Sequence, residues 1–288
     1  MAVAEAAPTF ARETPAAGRA WLRYLEILLP SAALAIIVAA CFLGPLVLPV
    51  PPPIGGNVLE SYLPAFSPGH LIGTDPNGND IFSRILHGGR SSLIVAVAVN
   101  LLGLAVGGTL GALSGYAGGL TDTVIMRVLD VLIAFPSLVL TLAVAQSLGP
   151  SQTNTILALA FFSIPAFARI SRAATLRLRE QPFMAAAELC GTSRWRVLLR
   201  HLAPNIVPQL TTFAMLGMGI VMVIEGALSF LGLGIPPPAP SWGNMIAQGQ
   251  QSLSATPMLV VWPCLVLLVT VLAFNLLGET LRARWSGQ

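Results

Sequence analysis

Six times between Ile27 and Leu277 the chain runs apolar for long enough to cross a lipid bilayer. The runs cover residues 27–50, 91–116, 123–148, 153–175, 205–231 and 258–277. A bilayer's hydrocarbon core takes about 20 apolar residues as a helix. Inside it each backbone N–H and C=O must be satisfied by the protein, which leaves helices or a closed barrel. Runs of this length specify helices. Charged residues make up only 9% of the 288 positions, against about a quarter in a soluble domain. The expected fold is therefore all-α, a polytopic membrane protein with six transmembrane helices.

Arginine placement orients them. All fifteen basic residues are arginine. Thirteen fall in or beside segments on one side: Arg12, Arg19, Arg23, Arg127, Arg169, Arg172, Arg177, Arg179, Arg194, Arg196, Arg200, Arg282 and Arg284. Only Arg84 and Arg90 fall on the other. By the positive-inside rule the rich side is cytoplasmic, and six spans put both termini there. The expected organisation is a cytoplasmic tail (1–26), a first helix (27–50) and an outer connection (51–90) with one short amphipathic helix near Asp80–Leu86. A five-helix core (91–284) follows, containing a cytoplasmic loop at 177–204 and an outer loop at 232–257, and then a short tail (285–288).

The lack of lysine removes a P-loop lysine and a Schiff-base lysine from this chain. Cys41, Cys190 and Cys264 are isolated and read as packing residues, without a disulfide framework or metal motif. His70, His87 and His201 are scattered. No nucleophile elbow, HExxH or paired carboxylates with a base is present, and serines such as Ser163 read as bonding back to their own helix. The net charge of +3 reads as orientation charge rather than affinity for nucleic acid. An enzyme is not expected.

Gly103, Gly107 and Gly111 recur every fourth residue in the second span, a series that lets helix backbones approach closely. Near the start of the third span, Arg127 lies one short helical step from Asp130, a spacing suited to a local ion pair beside Asp122. Glu225 is the carboxylate set deepest in a span. It reads as a hydrogen-bonded group at a helix–helix interface, with a proton relay or a cargo contact shared with Ser229 as the sharper alternative.

The stretch Arg177–Pro204 is an arginine-rich island between two spans. Pro182 starts a helix, Gly191 ends it through a left-handed cap, and Thr192 or Ser193 caps a second one. Pro204 then resets the chain for the next span. In the second helix Trp195, Leu198, Leu199 and Leu202 share a face, with Arg194, Arg196 and Arg200 on the rest. Such a pair suits a groove on a soluble partner; spacing alone serves equally a helix lying on the bilayer surface.

The segment AAAELCG (185–191), followed by the proline of HLAPN, resembles the EAA loop of ABC-importer permeases. LIGTDPNGNDIFSRILHGGRSSL (71–93), EGALSFLGLGIPPPAPSWGNM (225–245) and VLAFNLLGETLR (271–282) are similar to the "C"-type subunits of the dipeptide/oligopeptide/nickel branch. The resemblance covers roughly Gly69 to Arg284. It implies a six-helix permease in the bacterial inner membrane, paired with a homologous "B"-type permease and two ATPase subunits that hold ATP and Mg. An extracytoplasmic binding protein would deliver di- or oligopeptides, with nickel or glutathione as alternatives. A stand-alone proton-coupled carrier is the reading from another class.

On that resemblance Ala185, Ala186, Ala187, Glu188, Gly191, Arg194 and Arg200 would couple to the ATPase. Segments Gly73–Arg90 and Pro236–Met245, with Asp75, Asn79, Asp80, Arg84, Trp242 and Asn244, would meet the binding protein. Two departures stand out. Ala185 occupies the place of the family's leading Glu, with Glu188 three residues on, and Asn79 replaces the arginine of many relatives.

Overall fold

The structure, a computed structural model, describes residues 20–286. Most of the expected N-terminal tail, with Arg12 and Arg19, lies outside the described residues, as do the side chains of Arg23 and Glu188. Eleven helices follow one another in the described part, with no β-strand beyond two isolated bridges. They are α1 (Ala20–Val47), α2 (Ile81–Leu102), α3 (Gly108–Ala117), α4 (Gly119–Ala134), α5 (Ser137–Leu148) and α6 (Gln152–Arg179). Then come α7 (Pro182–Leu189), the single turn α8 (Arg194–Arg196), α9 (Ala203–Phe230), α10 (Trp242–Gly249) and α11 (Met258–Ser286).

Five helical stretches are long and apolar enough to cross a membrane: Leu25–Val47, Ile81–Ala117, Gln152–Arg179, Arg194–Phe230 and Met258–Trp285. The expected third span is not one rod. It is α4 and α5, bent by 88°. Pro136 has no N–H to donate and pushes its predecessor out of the helical region; Phe135 accordingly sits at φ −85°, ψ 139°. The bent pair still connects the two ends of the bundle. Asp122, in the first turn of α4, bonds Arg172 near the arginine-rich end, while Gln152, just past α5, donates to the Ser91 carbonyl at 3.4 Å, in the other half of the bundle. Counted as one crossing, it brings the number to six.

Two expected boundaries move. The short helix near Asp80–Leu86 is not separate: Asp80 caps α2, accepting from the Ser83 N–H at 2.6 Å, and the helix runs on through Gly88 and Gly89. Gly89 is needed there because a Cβ would meet Cys41 Sγ and the Trp242 ring at 2.5 Å. Pro204 does not reset the chain either. A π-helical turn, Val197–Leu202, joins α8 to α9. Widening the turn reroutes the bonds that a proline lacking its N–H cannot make, so one rod runs from Arg194 to Phe230.

The seam between the α2–α3 rod and α6 is backbone-close. Cβ atoms added at Gly103, Gly107 and Gly111 would lie 2.2 Å from Ser163 Oγ, 2.3 Å from the Ile164 carbonyl oxygen and 2.1 Å from the Ala168 carbonyl oxygen. Gly103–Gly107 is itself a π-helical turn, and Ser171 Oγ donates to the Gly108 carbonyl at 2.6 Å. The glycine series is thus a packing face. The main apolar core lies among α1, α2, α6, α9, α10 and α11, around Val95, Val99, Leu159, Met222 and Trp242.

Candidate functional site

At the arginine-rich end, α7 ends as the sequence predicts. Gly191 takes φ +70°, and the Thr192 N–H donates to the Ala187 carbonyl at 3.1 Å, the six-to-one bond of a Schellman cap. Ser193 precedes α8 in extended conformation but makes no side-chain cap bond. One face of this α7–α8 unit is anchored: Met184, Val197 and Leu202 are buried with Phe167, Ala174, Ile206 and Leu210 of the bundle. The opposite face is open. Phe183, Leu189, Trp195 and Leu199 are 42%, 89%, 68% and 72% exposed, and Arg194, Arg196 and Arg200 are exposed around them.

The expected single apolar face therefore splits. Leu202 and most of Leu198 turn inward with Val197, whereas Trp195 and Leu199 turn outward. The π turn rotates the helix between them, which a regular 3.6-residue wheel does not anticipate. Ala185 and Ala186 are exposed and Ala187 half-buried. What results is an exposed apolar surface interspersed with arginines and anchored to the bundle end through Met184, Val197 and Leu202.

At the other end the six residues expected to meet a partner are buried. Asp75, Asn79, Asp80, Arg84, Trp242 and Asn244 are between 0% and 7% exposed, and they hold the loops at this end together. Asp75 Oδ1 accepts from the N–H groups of Asn77 and Asn79, each at 2.9 Å, and Arg84 Nε lies 3.5 Å from Asp75 Oδ2. Asn79 Oδ1 accepts from the Gly56 N–H at 2.9 Å. Asn244 and Ser241 form a capping box at the start of α10, and the Asn244 amide donates to the Ala239 carbonyl at 2.6 Å. Motif residues in a loop can build its frame as readily as its surface; here they build the frame.

Glu225 is 1% exposed. Ser229 Oγ donates to its Oε1 at 2.8 Å, and Ser92 Oγ, from α2, to its Oε2 at 3.2 Å. Ser92 in turn accepts from the Trp242 N–H at 3.3 Å, and the Trp242 indole donates to the Ile85 carbonyl at 3.0 Å. The cluster ties α2, α9 and α10 at one point, and closed in this way it has the geometry of an interface hydrogen bond.

The expected Arg127–Asp130 pair does not form. Arg127 is exposed, and Asp130 pairs instead with Arg169 of α6 at 2.8 Å. Arg172, one turn along α6, grips both oxygens of Asp122 at 2.6 Å, and Ser114 also donates to Asp122. These contacts join residues 39 and 50 positions apart and carry no local signature in the sequence.

Residues 107–285 match the family described as binding-protein-dependent transport system inner membrane component. The chain is 43% identical over 216 residues to a glutathione transport system permease protein, GsiD, of Pectobacterium atrosepticum, covering 75% of this chain and 72% of that one. It is 45% identical over 213 residues to the GsiD of Escherichia coli, covering 74% and 70%. The chain belongs to this family. It is an inner-membrane permease component of an ABC importer, spanning the membrane several times. Its fold is that of a solved permease chain of the MetNI methionine ABC transporter in an inward-facing conformation, with a TM-score of 0.56 over 69% of this chain and 95% of that one; at 16% identity the likeness concerns the fold alone. Within the permease, the anchored α7–α8 unit is the segment singled out above for its likeness to the EAA loop.

Proposed function

We propose that this permease imports small peptides of the glutathione kind, driven by ATP hydrolysis in separate ATPase subunits that hold ATP and its magnesium. The observation that carries the ATP-driven part is the open face of α7–α8: Phe183, Leu189, Trp195 and Leu199 exposed among arginines, on a unit whose other face is locked into the bundle. A surface of this kind suits insertion into a groove on a soluble partner. Arginine forks at its rim suit carboxylates on that partner.

In this reading the arginine-rich end and both termini are cytoplasmic. A homologous "B"-type permease completes the membrane part, and an extracytoplasmic binding protein delivers cargo to the opposite end. ATPase closure would push on Ala185–Gly191 and shift the bundle between inward- and outward-facing states, a population shift driven by differential partner contacts. The cargo class is supported by the names of the relatives. The test is uptake by the complete complex in proteoliposomes, offered glutathione, di- and tripeptides, longer peptides and nickel. ATP- and binding-protein-dependent uptake of the small peptides is expected. Uptake of nickel alone, or peptide uptake without ATP, would contradict the proposal.

A further inference from the structure

Arg169 and Asp130 are paired at 2.8 Å, yet their side chains are 52% and 45% exposed. On a soluble protein such a pair would need no comment. In this bundle its depth matters. Arg169 lies eight residues along α6 from Arg177, and Asp130 eight residues along α4 from Asp122, so each is about 12 Å of helix into its span at 1.5 Å per residue. Charged groups at such depth face a water-filled space or another protein rather than acyl chains.

An independent feature points the same way. One turn past Asp130 the span breaks at Phe135 and Pro136, and Pro136 offers no side-chain cap to α5. Ile133, Ala134, Phe135 and Pro136 are all exposed. Irregular backbone at membrane depth is tolerated where it is buried in protein or lines an aqueous cavity. Asp130 and Ala134, four residues apart, share one face of α4. The ion pair and the open helix end therefore border the same space.

We propose that Asp130, Arg169 and the backbone of the Phe135–Pro136 break form a cargo-contact point on the translocation route, taking the ammonium and carboxylate of a small zwitterionic peptide. The inference rests on the reading of the chain as a small-peptide importer. Without cargo the two side chains neutralise each other. With cargo, the ammonium sits at Asp130 and the carboxylate at Arg169, so the local charge sum is unchanged. With cargo in place, carbonyls at the end of α4 accept from peptide N–H groups, as broken helices do in other transporters. Exchange of one pair for two gives selectivity with little net affinity, which suits a site that must also release its cargo.

The experiment uses the complete complex in proteoliposomes with one binding protein throughout. It measures KM and kcat for a tripeptide with free ends, its N-acetyl form and its C-terminal amide, each as a variant-to-wild-type ratio so that the binding protein's own preferences cancel. R169Q should raise KM about tenfold, equivalent to the loss of one modest ionic contact, for cargo with a free carboxylate and leave the amide's KM unchanged. D130N should do the same for the free ammonium and spare the N-acetyl form. Arg169→Lys and Asp130→Glu, which keep each charge, should stay near wild type and guard against misfolding. Equal losses for all three cargoes in both single variants, rescued by the charge swap D130R/R169D, would mark a structural clamp and overturn the site alone. Failure of the wild-type complex to take up any peptide would overturn the cargo reading and the site with it.

Discussion

At Glu225 a single carboxylate decides how three helices meet. Its two oxygens serve Ser229 and Ser92, and Ser92 serves the first turn of α10. Removing a buried acceptor leaves its donors unsatisfied, at about 1–3 kcal/mol. Glu225→Ala should therefore lower stability by about that amount and reduce hydrogen-exchange protection across Trp242–Gly249. Glu225→Gln keeps one oxygen acceptor, and its amide can donate to a rotated serine hydroxyl. This variant should transport as wild type from mildly acid to mildly alkaline medium. A selective loss at one end of that range would revive the proton-relay reading, which the closed hydroxyl shell disfavours.

At the scale of elements, the glycine seam fixes the α2–α3 rod against α6. Gly111→Ala places a methyl 2.1 Å from the Ala168 carbonyl oxygen, where a backbone atom cannot yield as a flexible side chain would. Overpacking of this kind costs about 1–3 kcal/mol, so thermal unfolding in detergent should fall clearly below wild type. Gly191→Ala meets nothing within 4 Å and bears only the left-handed backbone cost, about 1 kcal/mol. Equal effects of the two would contradict the close-packed seam.

The seam and the Gly191 cap were both legible in the sequence, because four-residue spacing and a glycine after a short helix are local signals. The prolines were not. Pro136 and Pro204 look alike in a one-dimensional reading, yet one breaks a span and the other is absorbed by a π turn. What decides is whether the preceding turn can reroute its bonds, which depends on packing around Val197 and Leu202. The Asp130–Arg169 and Asp122–Arg172 pairs were invisible for a related reason. A local partner, Arg127, satisfied the helical spacing, while the actual partners come from a different helix. The loop motif residues stood out as a group in the sequence, but whether they form a surface or the frame beneath it depends on loop closure across Asp75, Arg84 and Asn244.

For the whole molecule, an exposed apolar surface bearing arginines lies at one end and a hydrogen-bonded loop layer at the other, joined by long helices. The loop layer is held by Asp80, Arg84, Trp242 and the Glu225 cluster, so it should move as a body rather than unravel. The arginine-rich end has its apolar face free and its inner face fixed, which is what a lever contact requires. The most direct test is retention of the ATPase subunits. Leu189→Asp with Leu199→Asp changes only exposed side chains, so the tagged chain should still fold and insert in the membrane. The account predicts that the ATPase subunits no longer co-purify with it and that ATP-dependent uptake is lost. Wild-type co-purification with unchanged uptake would contradict the assignment of α7–α8 as the point where the ATPase acts.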